Sequence, residues 1–151
     1  MSENILDKAK TAALSIKERA TDLKTDLWND EKAEIVNEFK EKGTEKIKEI
    51  LEIVNKYKSL FYEAGYEVDS FNASLSIPPD ISITFKFLGA INDDKKQEIK
   101  SKVSESKIAS IILSSLFKAS DFAEKIKMGE MKLKEIEITL GLIPGISISL
   151  T

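Results

Sequence analysis

Residues 71–85, FNASLSIPPDISITF, decide the fold, because their pattern returns at residues 136–150 as IEITLGLIPGISISL. The offset is constant at 65 positions (139 − 74): Ser74 aligns with Thr139, Leu75 with Leu140, Pro79 with Pro144, Ile81 with Ile146 and Ser82 with Ser147. In each copy apolar residues alternate with small polar ones on both sides of a proline. That period of two is the signature of paired, half-buried strands joined by a turn.

Just upstream of each copy the alternation slips. Tyr66 and Val68 give way to Phe71, Ala73, Leu75 and Ile77 across Asp69-Ser70, and Met131 and Leu133 give way to Ile136, Ile138, Leu140 and Leu142 across Lys134-Glu135. A slip of one residue in a period of two is what a β-bulge produces. The reading therefore predicts strands over 66–77 and 81–88, and a second hairpin that closes the chain at Thr151.

Helices precede both hairpins. Val36, Phe39, Gly43, Ile47, Ile50, Val54, Tyr57 and Phe61 step by three and four, from a cap at Asn29 or Asp30 to about Ala64, with Gly43 as a break point and Gly65 as the stop. Adding the same offset to Ile47, Leu51, Val54, Tyr57 and Phe61 gives Ile112, Leu116, Ala119, Phe122 and Ile126, all apolar. The predicted unit is helix-strand-strand, occurring twice, over about 36–88 and 101–151. Between the copies, Asn92 to Lys102 reads as a short polar helix. A helix capped by Ser104 or Ser106 then runs to Met128 through IASIILSSLF, apolar all round and so expected at the centre of the core.

The expected fold class is α+β: a four-stranded, mainly antiparallel sheet from two hairpins, with helices on one face. Residues 31–151 form a single domain in this reading, and residues 1–30 an appended amphipathic helix. Its stripe, Leu6, Ala9, Ala13, Ile16, Ala20, Leu23 and Leu27, is narrow and alanine-rich. Such a seam buries little area per residue and needs a partner, either the domain itself or a second chain. A membrane surface is disfavoured, because the polar face mixes acids with lysines.

Composition removes several chemistries. The chain of 151 residues has no cysteine and no histidine, so disulfides, thiolate nucleophiles, imidazole bases and the commonest metal ligands are missing. Its 23 basic and 26 acidic residues are interspersed, which speaks against nucleic acid as a partner, and Arg19 is the only arginine. No cofactor and no metal are expected, and no acid-base pair points to an enzyme. Without a leader or membrane span in the sequence, the expected location is cytoplasmic.

Two candidate sites remain. The non-core face of the hairpins carries Asn72, Ser74, Ser76, Ser82, Thr84 and Lys86 in the first copy, and Glu137, Thr139, Gly141, Ser147, Ser149 and Thr151 in the second. Serine and threonine are ordinary residues of a β surface. A face so small and weakly charged also suits docking of another copy or a protein partner, since solvent-facing strands usually carry more charge. The expected function is accordingly a non-catalytic assembly protein that self-associates through this face, its N-terminal helix, or both. The alternative is a carrier of a lipid or other apolar ligand in a pocket lined by Tyr57, Phe61, Tyr62 and Tyr66.

Overall fold

A computed structural model describes residues 29–126 and 129–151, so the expected N-terminal helix with its Leu6 to Leu27 seam lies outside the described residues. The elements are α1 (Asn29–Lys42), α2 (Thr44–Glu63), β1 (Tyr66–Ser74), β2 (Asp80–Phe87), α3 (Asp93–Val103), α4 (Lys107–Ile126), β3 (Leu133–Gly141) and β4 (Gly145–Leu150). The fold is α+β, with one four-stranded antiparallel sheet in the order β1-β2-β3-β4. Both hairpins share that sheet because β2 pairs with β3 from Asp80↔Gly141 to Lys86↔Glu135.

Register shifts fall between Val68 and Ser70 in the first hairpin and between Leu133 and Glu135 in the second, where the apolar alternation slips. The first strand is shorter than its sequence pattern suggests. It ends at Ser74, so Leu75 and Ile77, expected on the core face, lie in the connection and are 70% and 96% exposed. The cause is Pro78-Pro79: extending the ladder beyond Ser74↔Asp80 would set Leu75 and Ser76 opposite residues that have no N–H to donate. In the second copy β3 runs on to Gly141 and Leu140 is fully buried.

The core lies between the sheet and the helices. Ile81, Ile83 and Phe85 of β2, and Ile136, Ile138 and Leu140 of β3, are fully enclosed, each buried aliphatic side chain contributing about 1.5–3 kcal/mol. From α2, Ile47, Ile50, Val54, Tyr57 and Phe61 face inward at helical spacing, with the Phe61 ring edge-on to Phe85 at 5.7 Å and 88°. The apolar run in α4 buries Ile111, Ile112, Leu113, Ser115, Leu116 and Phe117 in near succession, as the expected central helix should. The buried Ser115 hydroxyl donates back to the Ile111 carbonyl at 2.7 Å.

Gly43 does break the helical run: its φ of 58° separates α1 from α2, and Ile35 and Phe39 of α1 are buried in the core. Two sequence-predicted caps hold. The Asn92 side chain accepts the Lys95 N–H at 2.8 Å at the start of α3, and Ser106 Oγ accepts the Ala109 N–H at 3.2 Å at the start of α4.

Candidate functional site

Alternation places one side of every strand away from the helices. On that side the register aligns Asn72, Ser82, Thr139 and Gly145 across the strands, then Ser70, Thr84, Glu137 and Ser147, then Glu67, Lys86, Glu135 and Ser149. Ser82, Thr84, Glu137 and Thr139 are half-buried, whereas Asn72, Ser147 and Ser149 are exposed; among the described residues no helix covers this face. The sequence-predicted set is thus brought together, with one exception. Ser76 falls beyond the end of β1, where its hydroxyl meets Ser74 Oγ at 2.8 Å at the rim.

Hydroxyls on the central strands satisfy one another: Ser82 Oγ lies 2.8 Å from Thr139 Oγ1. Pairing of these two hydroxyls lowers the cost of removing water from them. Charge is concentrated toward the opposite end, where Lys86 stands between Glu67 and Glu135 in the register and pairs with Asp69 at 3.5 Å. With Asp80 and Glu137 added, the face is acidic on balance.

The aromatic set expected to line one pocket is dispersed. Phe61 is inside the core, Tyr62 is 56% exposed, and the Tyr57 hydroxyl donates to Glu105 Oε1 at 3.1 Å. Consecutive helical residues diverge by about 100°, so Phe61 and Tyr62 cannot share a face. Tyr66 lines a largely apolar cavity of about 240 Å³ together with Phe87, Ile91, Phe117, Ser120 and Leu133, its wall also including Lys96, Asp121 and Glu124. There the buried Tyr66 hydroxyl donates to the Leu116 carbonyl at 3.2 Å and lies 2.6 Å from Ser120 Oγ. Burial, with a smaller push from the Asp121 carboxylate, raises its pKa to about 12 against the opposing hydrogen bond to Ser120. These wall residues come from β1, β2, α3, α4, β3 and the loop after β2, and no local sequence pattern marks them.

A polar cleft lies where α1, α2 and α4 meet. Lys46 is 1% exposed; its ammonium is bound by Glu38 and, at 3.1 Å, by Glu49 Oε2, which Lys42 also reaches at 3.3 Å. Burial opposes ionisation of Glu49, but hydrogen bonds from Lys46 and Lys42 outweigh it and hold its carboxyl below the usual range. With its charge matched on both sides, Lys46 acts as a clip across the Gly43 corner. Sequence reasoning missed it because a lysine in a helical stripe reads as solvent-facing.

Among the described residues no cluster of His, Cys, Asp and Glu has the makings of a metal site, and no helix is long and apolar enough to cross a membrane. Comparison with protein-family models, curated proteins and solved structures finds no match.

Proposed function

We propose that this protein is a non-catalytic assembly module, located in the cytoplasm, that self-associates through its sheet. The observation that carries the reading is the hydroxyl-rich face that no element among the described residues covers and whose central groups, Ser82 and Thr139, already bond each other. The matched register shifts, 65 positions apart at Val68/Ser70 and Leu133/Glu135, support reading the core as a duplicated helix-strand-strand unit. Static light scattering over a concentration series tests the function. A mass that rises with concentration is the expected result; a strict monomer at high micromolar concentration sinks the reading.

The cavity beside Tyr66 favours a second reading, binding of a small apolar ligand. Its volume of about 240 Å³ is below the roughly 300–1,000 Å³ of ordinary ligand pockets, which points to a compact molecule and not a lipid chain. Native mass spectrometry of gently purified protein would reveal a bound adduct that Ser120→Phe removes; its absence in every preparation counts against this reading.

A further inference from the structure

The two edges of the sheet differ in a way that selects one of them for pairing. An edge strand exposes a row of unpaired main-chain N–H and C=O groups, and proteins that stay monomeric guard such rows with charge, proline or a bulge. The β1 edge is guarded on two counts: the register shift at Val68/Ser70 interrupts it, and Glu67 and Asp69 flank the shift. Among the described residues the β4 edge has no such protection. Its sequence, GISISL, contains no charge and no proline, and from Ile146 to Leu150 apolar and hydroxyl side chains alternate.

We infer that the self-association proposed above runs through β4, pairing antiparallel with β4 of a second copy to make one two-fold, eight-stranded sheet. The occupant is a second copy because GISISL is complementary to itself. When two such strands pair about a two-fold axis with like faces together, Ile146, Ile148 and Leu150 meet one another on the helix side and Ser147 and Ser149 on the other. Ile148 and Leu150 are only half-buried in the single chain, so pairing completes their cover. Stacking the open faces of two copies is less favourable, because the acids of β1 to β3, Glu67, Asp69, Asp80, Glu135 and Glu137, outnumber the lysines of those strands, Lys86 and Lys134, and would be set against each other. Edge pairing instead leaves the hydroxyl face open and doubles its length.

A seam of six residues buries less than the about 1,200 Å² of a standard stable interface. The dimer is therefore an exchanging one that forms as concentration rises.

The absence of cysteine from the chain makes the test direct. Single variants Ser147→Cys, Ser149→Cys and Thr139→Cys of the full chain are oxidised with copper phenanthroline, separately and mixed in pairs. Opposed residues in antiparallel strands are about 4.5–5.5 Å apart, within disulfide reach. Depending on which residue lies on the axis, Ser147→Cys links to itself, Ser149→Cys links to itself, or the two link to each other; any of these supports the seam, provided Thr139→Cys stays unlinked. In parallel, Ser149→Lys should raise the dissociation constant at least about tenfold by opposing charges at the seam, while Ser149→Thr leaves it unchanged. Links through Thr139→Cys alone, with assembly weakened by Ser82→Lys and not by Ser149→Lys, overturn the β4 seam but keep self-association. A chain that stays monomeric and links nowhere overturns both.

Discussion

Besides the buried Ser115 hydroxyl, two side chains concentrate the polar chemistry of a largely apolar interior. The Tyr66 hydroxyl is buried between the Leu116 carbonyl and Ser120 Oγ. Because Ser120 Oγ also donates to that carbonyl, at 3.0 Å, Tyr66→Phe leaves no orphaned acceptor. Denaturant melts should show a loss of only about 1 kcal/mol at neutral pH. The same phenol makes stability depend on alkaline pH. Its folded pKa, about 12, lies above the ordinary value of about 10, so its contribution is complete below the lower value. It drains away as pH rises toward the higher one, because the folded state holds the proton more tightly. Tyr66→Phe should flatten that part of the profile, and an unchanged alkaline slope would show that the hydroxyl is not buried as described. Lys46 behaves differently. Lys46→Ala removes the clip and the packing of its stem, and should cost about 2 kcal/mol; Lys46→Met keeps the stem and should cost about 1 or less, because Glu38 and Glu49 can turn to water. Glu49, held below its ordinary 4.5, adds a small, salt-screened contribution that is present above that value and lost as acid carries the pH through its lowered one. Urea midpoints of both variants in mild acid, at low and high salt, check this.

At the scale of elements, the chain's turns divide into those that need glycine for backbone shape alone and one that needs it for space as well. Gly43, between α1 and α2, has φ of 58° with nothing within 4 Å of where a Cβ would stand. Gly65, between α2 and β1, has φ of 100°, and a Cβ there would collide with the Gly89 carbonyl oxygen. Its own carbonyl accepts the Leu88 N–H at 2.8 Å, tying the helix end to the exit of β2. Gly43→Ala should therefore cost about 1 kcal/mol and Gly65→Ala about 3 kcal/mol; thermal melts giving equal losses would contradict the close approach. Much at this scale was legible beforehand. Alternation located β2 and β3, the slips at Asp69-Ser70 and Lys134-Glu135 located the irregular registers, and Gly65, Asn92 and Ser106 marked helix ends, because each is a local signal with a local cause. The strand end at Ser74 was not, since Leu75 and Ile77 continue the period and only the missing donors of Pro78-Pro79 stop the ladder. The hydroxyl face followed from alternation, and just Ser76 strayed. The cavity wall stayed hidden because Tyr66, Phe117 and Ser120 meet only once α4 has crossed the sheet.

For the molecule as a whole, asymmetry of cover is the decisive property. β2 and β3 are central in the sheet and enclosed on their helix side, whereas among the described residues nothing covers the distal half of β1 on either side: Phe71 is 42% exposed and Ala73 is exposed although both belong to the core face. Leu75, Ile77 and Ile143 extend that apolar region onto the two hairpin connections, which lie at the same end of the sheet. Local opening should follow this gradient, because amides with few buried neighbours exchange without global unfolding. In dilute solution the amides of Ile83, Phe85, Ile136 and Ile138 are expected to exchange only through global unfolding. Those of Ala73, Ser74, Leu75, Ser76 and Ile77 should exchange at least about a hundredfold faster. Raising the protein concentration then separates the effects of assembly from those of the fold. Protection gained along β4 alone, at Ile146, Ile148 and Leu150, is what edge pairing predicts, since the N–H groups of Ser147, Ser149 and Thr151 already face β3 and those of the alternate residues face the free edge. Protection gained across Ser82, Thr84 and Thr139 would instead mark the face as the buried surface. Protection gained at Phe71 to Ile77 would assign the apolar tips a partner that neither reading supplies.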